Sequence, residues 1–259
     1  MGMVASDEQT IWWYNTYKRL WRGKFRKMKC FAIVMKDHAL SEGGYKTLVE
    51  SSENVGNDFT IERFDAIVAD NVDEHMKKEG LKWTWPDSGR VYNEKLKMKF
   101  HYYGGPPKRR YACAMSHYYL WKKCVEESEP ILILEHDAVF LRKFDAQYVI
   151  DSDYEVIGIN EPRRNTRLDG RFHSVVQTAP GPLVDCPIID NMEVPQGIAG
   201  ASAYIIKPEG ADQIIGAAYD YGMWPNDALI CQQLFPWLGV TKTYYTDTQR
   251  LKSTTFTDA

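Results

Sequence analysis

The feature that most constrains the fold is a run of four apolar residues followed at once by polar ones. Residues 131–134 have the sequence Ile-Leu-Ile-Leu, and Glu135, His136 and Asp137 come next. A strand with one face in solvent alternates apolar and polar residues, whereas a continuous apolar run is typical of a strand covered on both faces. The run therefore predicts an interior strand whose polar end lies at the edge of its sheet.

Strand and helix patterns alternate along the rest of the chain. Apolar stretches rich in strand formers predict strands at residues 30–35, 59–70, 131–134, 154–160, 202–206 and around 242–246. Helical spacing follows residue 36, the Gly-Gly-Pro-Pro turn at 104–107 and the Lys-Pro-Glu-Gly turn at 207–210, and extends over 224–235. Strand–helix–strand order favours parallel strands, so we predict an α/β fold with helices flanking a mostly parallel central sheet. Residues 71–99 give no clear pattern.

Composition limits the classes of function. The chain has 259 residues, 44% hydrophobic and 26% charged, which is typical of a soluble globular protein. A net charge of −3 gives no global attraction to nucleic acid or anionic lipid, so such binding would need a local patch. No apolar run approaches the ~20 residues of a membrane span. The first ten residues lack a basic stretch followed by an apolar one, so we expect no export. Five scattered cysteines without a CxxC pair predict reduced thiols, and we expect a cytoplasmic protein.

The first 29 residues differ from the remainder and are predicted to be a basic, aromatic extension of a single catalytic domain at 30–259. No acidic residue lies between Glu8 and Asp37, while Trp, Tyr, Lys and Arg are frequent there. Such a segment is either a solvated basic face whose tryptophans pack inward, or a patch that touches anionic lipid or nucleic-acid phosphates. Both interpretations stay open.

Three basic residues open the helix that follows the Gly-Gly-Pro-Pro turn. Lys108, Arg109 and Arg110 lie in its first turn, where positive charge opposes the helix dipole. An unfavourable local placement of this kind indicates function, because bases at a helix N-terminus suit a phosphate group. The alternative is a solvated surface.

The acidic sequence after the central apolar run could hold a cation. Along an extended chain Glu135 and Asp137 point the same way and His136 points to the other side. Two adjacent carboxylates repel each other unless a cation lies between them, and Mg²⁺ or Mn²⁺ binds few protein oxygens together with water and substrate phosphate. Ligands of open α/β sheets bind at this edge. The alternative is a polar turn whose acids cap the next segment.

Two segments carry the specific resemblance to glycosyltransferase family 25, the type of lipopolysaccharide-biosynthesis and collagen glycosyltransferases, and residues 30–38 and 62–67 resemble its N-terminal strand and Phe-x-Ala stretch. Ala112-Cys113, Ser116-His117 and Trp121 match the family's helix pattern Gly-Cys-x-x-Ser-His-x-x-x-Trp, and Glu135-His136-Asp137 stands at its Glu-Asp-Asp strand end. The stretch GASAYIIKPEGADQII at 200–215 and the Pro-Asn-Asp at 225–227 resemble a second conserved block. His136 in place of the central Asp and Ala112 in place of Gly are departures.

The resemblance implies a GT-A-like nucleotide-diphospho-sugar transferase fold in which the acidic motif holds Mn²⁺ or Mg²⁺ on the donor pyrophosphate. Asp137 and Glu135 are the predicted metal ligands. Asp227 is the candidate base for the acceptor hydroxyl, or alternatively an acid stabilised at a helix N-terminus. The predicted donor-binding residues are Lys108, Arg109, Arg110, Ser116, His117, Glu135 and His136, although His117 could equally be a satisfied core histidine and His136 a packed side chain.

The implied activity is transfer of a sugar from a nucleotide-sugar donor, with a UDP-sugar preferred, to an acceptor hydroxyl. A saccharide is the favoured acceptor. Hydroxymethylated bases of DNA, as in phage-type DNA modification, are the alternative, with the arginine-rich residues 161–171 supplying phosphate contacts. A non-catalytic saccharide-binding protein and a metal-dependent hydrolase are weaker rivals, the latter because the other histidines show no metal-ligand spacing.

Overall fold

The computed structural model describes residues 28–102, 104–191, 193–252 and 254. The predicted basic extension, residues 1–29, lies outside the described residues except for Met28 and Lys29, and Lys29 already begins the first strand. The division of the chain into an extension and one catalytic domain therefore stays a prediction.

Eleven strands and seven helices are formed by the described residues. The strands are β1 Lys29–Val34, β2 Ile61–Asp65, β3 Arg90–Asn93, β4 Met98–His101, β5 Ile131–Glu135, β6 Ala138–Phe140, β7 Val156–Gly158, β8 Leu183–Asp185, β9 Ala203–Ile206, β10 Leu238–Thr241 and β11 Thr246–Thr248. The helices are α1 Ala39–Asn54, α2 Val72–Glu79, α3 Pro107–Glu127, α4 Gln147–Ile150, α5 Asp169–Thr178, α6 Pro208–Tyr221 and α7 Asn226–Leu229.

Within the described part of the chain, seven strands form one central sheet in the order β2-β1-β5-β9-β7-β10-β8. Five of them (β2, β1, β5, β7 and β10) run in one direction, because only β9 and β8 pair antiparallel to their neighbours. The predicted α/β fold with a mostly parallel sheet flanked by helices is therefore confirmed. The hairpin β3–β4 and the pair β6–β11 form two small additional sheets.

The central apolar run is buried on both faces, as its sequence predicts. Ile131 and Ile133 join the core that contains α3 and α6, whereas Leu132 and Leu134 join a second core on the side of α1. All four residues have no exposed surface. Each face of β5 thus has its own layer of helix, which excludes solvent from both sides of the strand.

The antiparallel strand β9 brings a loop to the edge where β5 ends. Ala203, the first residue of β9, pairs with Leu134 near the end of β5. The preceding residue, Ser202, accepts a hydrogen bond from the Glu135 backbone through its carbonyl at 2.8 Å. The segment before β9 therefore lies at the same edge as the acidic motif, a position that an all-parallel sheet would not give it.

Three local predictions are wrong in detail. Only Asn226–Leu229 of the predicted helix at 224–235 is helical, because the backbone of residues 231 and 232 bonds to residues 197 and 196 instead. The predicted strand around 242–246 is a crossing between β10 and β11, since the chain leaves the central sheet there to pair with β6. The predicted turn at 207–210 is the start of α6, with Pro208 in its first turn. Residues 71–99, unassigned from sequence, contain α2, β3 and the start of β4.

No helix among the described residues is long and apolar enough to cross a membrane. The five cysteines are free, and four of them are buried.

Helix α1 packs directly on the turn that follows β5, and Gly44 is the residue that permits this. A Cβ atom at Gly44 would lie 2.8 Å from the carbonyl oxygen of His136 and 3.0 Å from Leu251 Cδ1. A backbone atom cannot move away as the end of a flexible side chain can. The neighbouring Gly43, also in α1, has open space around the same position.

We expect Gly44→Ala to lower the free energy of unfolding by about 1–3 kcal/mol, because the added methyl group overpacks a contact with backbone. Gly43→Ala is the matched control and should raise it by about 0.5–1 kcal/mol through the higher helix propensity of alanine. Urea unfolding of both variants measures the difference. Equal effects of the two substitutions would contradict the close packing of α1 on the turn.

Candidate functional site

A cavity of about 430 Å³ opens at the edge of the sheet where β1, β2 and β5 end. Met35 and residues 66–70 line it from the loops after β1 and β2, and Glu135 and His136 line it from the end of β5. The first half of α3 forms another wall through Arg109, Ala112, Cys113, Ser116 and His117. The cavity therefore lies beyond the carboxyl ends of parallel strands, the usual ligand position in open α/β sheets.

Glu135 is the last residue of β5 and its carboxylate is held by α3. His117, which is fully buried, places its Nε2 3.0 Å from Glu135 Oε1. Burial is the largest single influence on Glu135 and raises its pKa, but the hydrogen bond and charge interaction with His117, together with smaller contributions from His136 and Cys113, bring the pKa below the ordinary value. Glu135 is therefore an ionised carboxylate at neutral pH.

His117 is held in turn by two other buried side chains. Its Nδ1 lies 2.8 Å from the hydroxyl of Tyr204, in β9. The same hydroxyl accepts a hydrogen bond from the indole nitrogen of Trp121 at 2.8 Å. A continuous hydrogen-bonded chain thus runs from Trp121 through Tyr204 and His117 to Glu135.

Asp137 is in the opposite situation. Its Oδ1 is buried and has no hydrogen-bond partner among the described residues. Burial and the negative charge of Glu135 raise its pKa to about 7. A buried carboxylate oxygen without a partner, near a second carboxylate, is the arrangement that a divalent cation stabilises, so the residues present fit such an ion.

The turn that carries Asp137 is fixed by the C-terminal segment. The strand ends at Glu135, so the strict alternation predicted for residues 135–137 does not continue through the motif. The Gln249 side chain donates to the carbonyls of Ala138 at 2.8 Å and His136 at 3.2 Å, and its backbone donates to the Asp137 carbonyl at 2.7 Å. Gln249 therefore holds the three successive carbonyls of residues 136–138, two of which belong to the motif.

His136 lines the cavity next to Glu135. Burial lowers its pKa below the ordinary value, so the ring is neutral at neutral pH. Its backbone donates to the Ile33 carbonyl at 3.1 Å, which ties the turn to the end of β1.

The three predicted bases of α3 point in different directions. Arg109 lines the cavity. Lys108 pairs with Asp73 at the surface. Arg110 is buried, donates to the Gly104 carbonyl and lies over the ring of Tyr102, with 4.8 Å between the guanidinium carbon and the ring centre.

Ser116 supports a wall of the cavity. Its hydroxyl accepts a hydrogen bond from the Ile67 backbone at 2.9 Å and donates to the Ala112 carbonyl at 2.9 Å. The fully buried hydroxyl thereby anchors the loop after β2 to α3. Ser116 lines the cavity, but its bonds within the protein already use its proton and one lone pair.

Asp227 lies in the first turn of α7 and is accessible to solvent, although dense protein surrounds it. Desolvation and the charge of Glu135 raise its pKa, while the charge of Arg110 opposes the rise. Cys113 connects this region to β5, since its thiol lies 3.6 Å from Asn226 Oδ1 and 3.9 Å from Glu135 Oε1. Asp227 and the acidic motif therefore belong to one electrostatic cluster.

The side chains of Cys113, His117 and Glu135 form a second group that could hold a metal ion. One ligand atom from each lies within 4.8 Å of the others. Glu135 belongs both to this group and to the predicted pair of Glu135 and Asp137. Its carboxylate would bind an ion together with Cys113 and His117 in one arrangement, and together with Asp137 in the other.

Sequence reasoning missed four residues that shape this site. Trp121 lies in one of the two segments that resemble glycosyltransferase family 25, and Tyr204 lies in the other. The presence of both family segments in one chain was the sequence signal available for their contact. Asn226 stands beside the predicted base. Gln249 had no signal, because it approaches the motif only through tertiary structure.

A cavity at the carboxyl edge of a mostly parallel α/β sheet, with the carboxylate of Glu135 in its lining, is a usual position for a bound ligand. Residues 50–230 match the family described as "Glycosyltransferase family 25 (LPS biosynthesis protein)". The chain therefore belongs to glycosyltransferase family 25, as its sequence motifs predict, and is a glycosyltransferase.

Two solved structures are distantly similar. The apo form of mouse xyloside xylosyltransferase 1 is 9% identical, with 82% of this chain and 83% of that chain covered and a TM-score of 0.43. The apo structure of the bifunctional glycosyltransferase WbbM is 10% identical, with 83% of this chain and 38% of that chain covered and a TM-score of 0.39. At these TM-scores neither likeness carries a functional argument. Comparison with curated protein sequences gives no significant match.

The raised pKa of Asp137 predicts how stability depends on pH. Its pKa in the folded protein, about 7, lies above the ordinary 3.8, so its contribution to stability is complete below pH 4 and is lost as pH rises through 7. Without a divalent cation, Asp137→Asn should therefore stabilise the protein more at pH 8 than at pH 5, by on the order of 2 kcal/mol. Urea unfolding with a chelator present measures both values.

Asp212→Asn is the control for this experiment, because Asp212 is exposed on α6. It should change stability little at either pH. If Asp137→Asn were no more stabilising at pH 8 than at pH 5, the pKa of Asp137 would not be raised in the folded protein.

Proposed function

We propose that this protein transfers a sugar from a nucleotide-diphosphate donor, preferably a UDP-sugar, to an acceptor hydroxyl, with Mn²⁺ or Mg²⁺ held by Asp137 and Glu135. The observation that carries the proposal is the buried, unpartnered Oδ1 of Asp137, close enough to feel the charge of the ionised Glu135, which lines the cavity. When bound, the cation would neutralise charge that develops on the departing diphosphate.

The cavity is our candidate for the nucleotide part of the donor. Its volume of about 430 Å³ lies within the range of ordinary ligand pockets, and its walls combine apolar residues with a few polar groups. Arg109 supplies positive charge at the wall formed by α3, and the neutral His136 offers a hydrogen bond without adding charge. Of the three bases of α3, Arg109 lines the cavity, which makes it the proposed phosphate contact.

Asp227 is the proposed base for the acceptor hydroxyl. A raised pKa makes its carboxylate a better proton acceptor, and the side chain is accessible to an incoming hydroxyl. The charge of Glu135 contributes to the raised pKa of Asp227, and this closeness supports a role for Asp227 near the proposed diphosphate site.

A saccharide is the proposed acceptor, in keeping with the description of the family as lipopolysaccharide-biosynthesis proteins. Hydroxymethylated DNA remains the second candidate. The observation in its favour is the exposure of Arg163, Arg164 and Arg171, which could meet phosphates, although Arg163 already pairs with Glu161.

The proposal is tested by measuring donor hydrolysis with UDP-, GDP- and CMP-sugars, with Mn²⁺ and with a chelator. We expect turnover of one donor class to require the cation and to fall about 10²–10³-fold in Asp137→Asn, because the leaving diphosphate loses its electrostatic stabilisation. Asp212→Asn, an exposed acid on α6, should retain full activity. Absence of binding and turnover with every donor would refute the proposal.

The role of Asp227 has a separate test. In Asp227→Asn we expect kcat for transfer to an acceptor to fall about 10²–10⁴-fold while the KM for the donor stays close to that of the wild type, since the group acts on the acceptor. An equal loss of donor affinity would assign Asp227 to donor binding instead. Gel-shift assays with duplex DNA at low and moderate salt then separate the DNA acceptor from the saccharide.

A further inference from the structure

The hydrogen-bonded chain behind Glu135 satisfies all of its polar groups in only one arrangement of protons. The indole nitrogen of Trp121 is a donor and never an acceptor, so the Tyr204 oxygen accepts from it. The single proton of the Tyr204 hydroxyl is then free to point at the other partner, His117 Nδ1, 2.8 Å away. Tyr204 therefore donates to His117.

This direction decides which ring nitrogen of His117 carries a proton. A neutral imidazole has one donor and one acceptor nitrogen, and here Nδ1 is the acceptor. The proton accordingly lies on Nε2, where it is donated to Glu135 Oε1 at 3.0 Å. Every polar group of the chain then has a matching partner.

The same tautomer affects whether the group of Cys113, His117 and Glu135 can bind a metal ion. A histidine binds metal through an unprotonated nitrogen and usually donates its other N–H to a second partner. Metal binding at Nε2 would move the proton to Nδ1, where it would face a Tyr204 hydroxyl that then lacks an acceptor for its own proton. Because Trp121, Tyr204 and His117 are all fully buried, no solvent satisfies that hydroxyl.

We propose that Tyr204, held by Trp121, is a positioning residue that keeps His117 in the Nε2–H tautomer, so that His117 acts as a hydrogen-bond donor orienting Glu135 and not as a metal ligand. The proposal rests on the proposed function in that Glu135 is a cation ligand. Through this chain the cation site depends on β9, a strand that does not line the cavity. The phenol of Tyr204 keeps its proton because burial raises its pKa well above the ordinary value.

The tautomer is measured directly from the ring ¹⁵N chemical shifts of His117 near pH 7.5 in histidine-labelled protein, with the signals assigned by their loss in His117→Asn. In the wild type we expect Nε2 to be protonated and Nδ1 unprotonated. In Tyr204→Phe, Nδ1 loses its donor, and we expect its shift to move away from the value of a hydrogen-bonded acceptor. A wild-type His117 protonated at Nδ1 would overturn the proposal.

Trp121→Phe is the second variant, which keeps the Tyr204 hydroxyl but removes the donor that sets its direction. We expect His117 to become a mixture of tautomers in this variant, because Tyr204 can then accept from Nδ1 as well as donate to it. Unchanged ring shifts in both folded variants would show that the chain does not set the tautomer.

Mn²⁺ titration provides the functional measurement. Loss of a group that orients a ligand commonly weakens metal binding about 10–100-fold, so we expect at least a tenfold rise in the Mn²⁺ Kd of Tyr204→Phe. Tyr148→Phe is the matched control, since it also removes a hydrogen-bonded tyrosine hydroxyl, here one that lies 2.8 Å from the Tyr245 hydroxyl and next to the other core. An unchanged Mn²⁺ Kd in Tyr204→Phe would overturn the positioning role.

The two proposals fail in distinguishable ways. If the wild type binds no Mn²⁺ although His117 has the expected tautomer, the cation role of Glu135 fails. If Mn²⁺ binds normally but His117 is protonated at Nδ1, the positioning role of Tyr204 fails and the proposed activity stands.

Discussion

The contact between His117 and Glu135 is the interaction on which the arrangement of the site depends. An ionised carboxylate at the end of a fully buried strand is unfavourable unless hydrogen bonds compensate for the lost water. Helix α3 supplies that compensation through His117, and β9 supplies the support of His117 through Tyr204. A helix, a parallel strand and an antiparallel strand are thereby joined at one point, so the orientation of the carboxylate is a property of the core and not of a loop.

Glu135 and Asp137 are two residues apart, yet their side chains lie in different environments. Glu135 has a histidine partner and a lowered pKa, whereas Asp137 has a buried oxygen without a partner and a raised pKa. The buried oxygen of Asp137 without a partner is unfavourable for stability, while Gln249 holds the backbone of Asp137 by a hydrogen bond. An unfavourable side chain on a well-held backbone is the pattern expected of a binding site preorganised for a charged ligand.

The mixed direction of the strands explains how distant motifs meet. Parallel strands β1, β2 and β5 place their ends around the cavity, and the antiparallel β9 passes between β5 and β7 with Tyr204 facing the core of α3. The helix motif around Ser116 and the block around Tyr204 are separated by more than eighty residues, but they share one buried hydrogen-bonded chain. The resemblance to the family in two separate segments thus corresponds to one physical structure.

The sequence by itself determined the class of fold, the interior position of residues 131–134 and the family, because apolar runs, alternation of elements and motif spacing are local patterns. Local patterns also placed Glu135 and Asp137 at the edge of a sheet. They could not show that α7 is a single turn, that Gln249 holds the acidic motif or that His117 joins Tyr204 to Glu135. Those features were decided only by the tertiary structure, since hydrogen bonds between residues far apart in the chain exist only once strand order and direction are set.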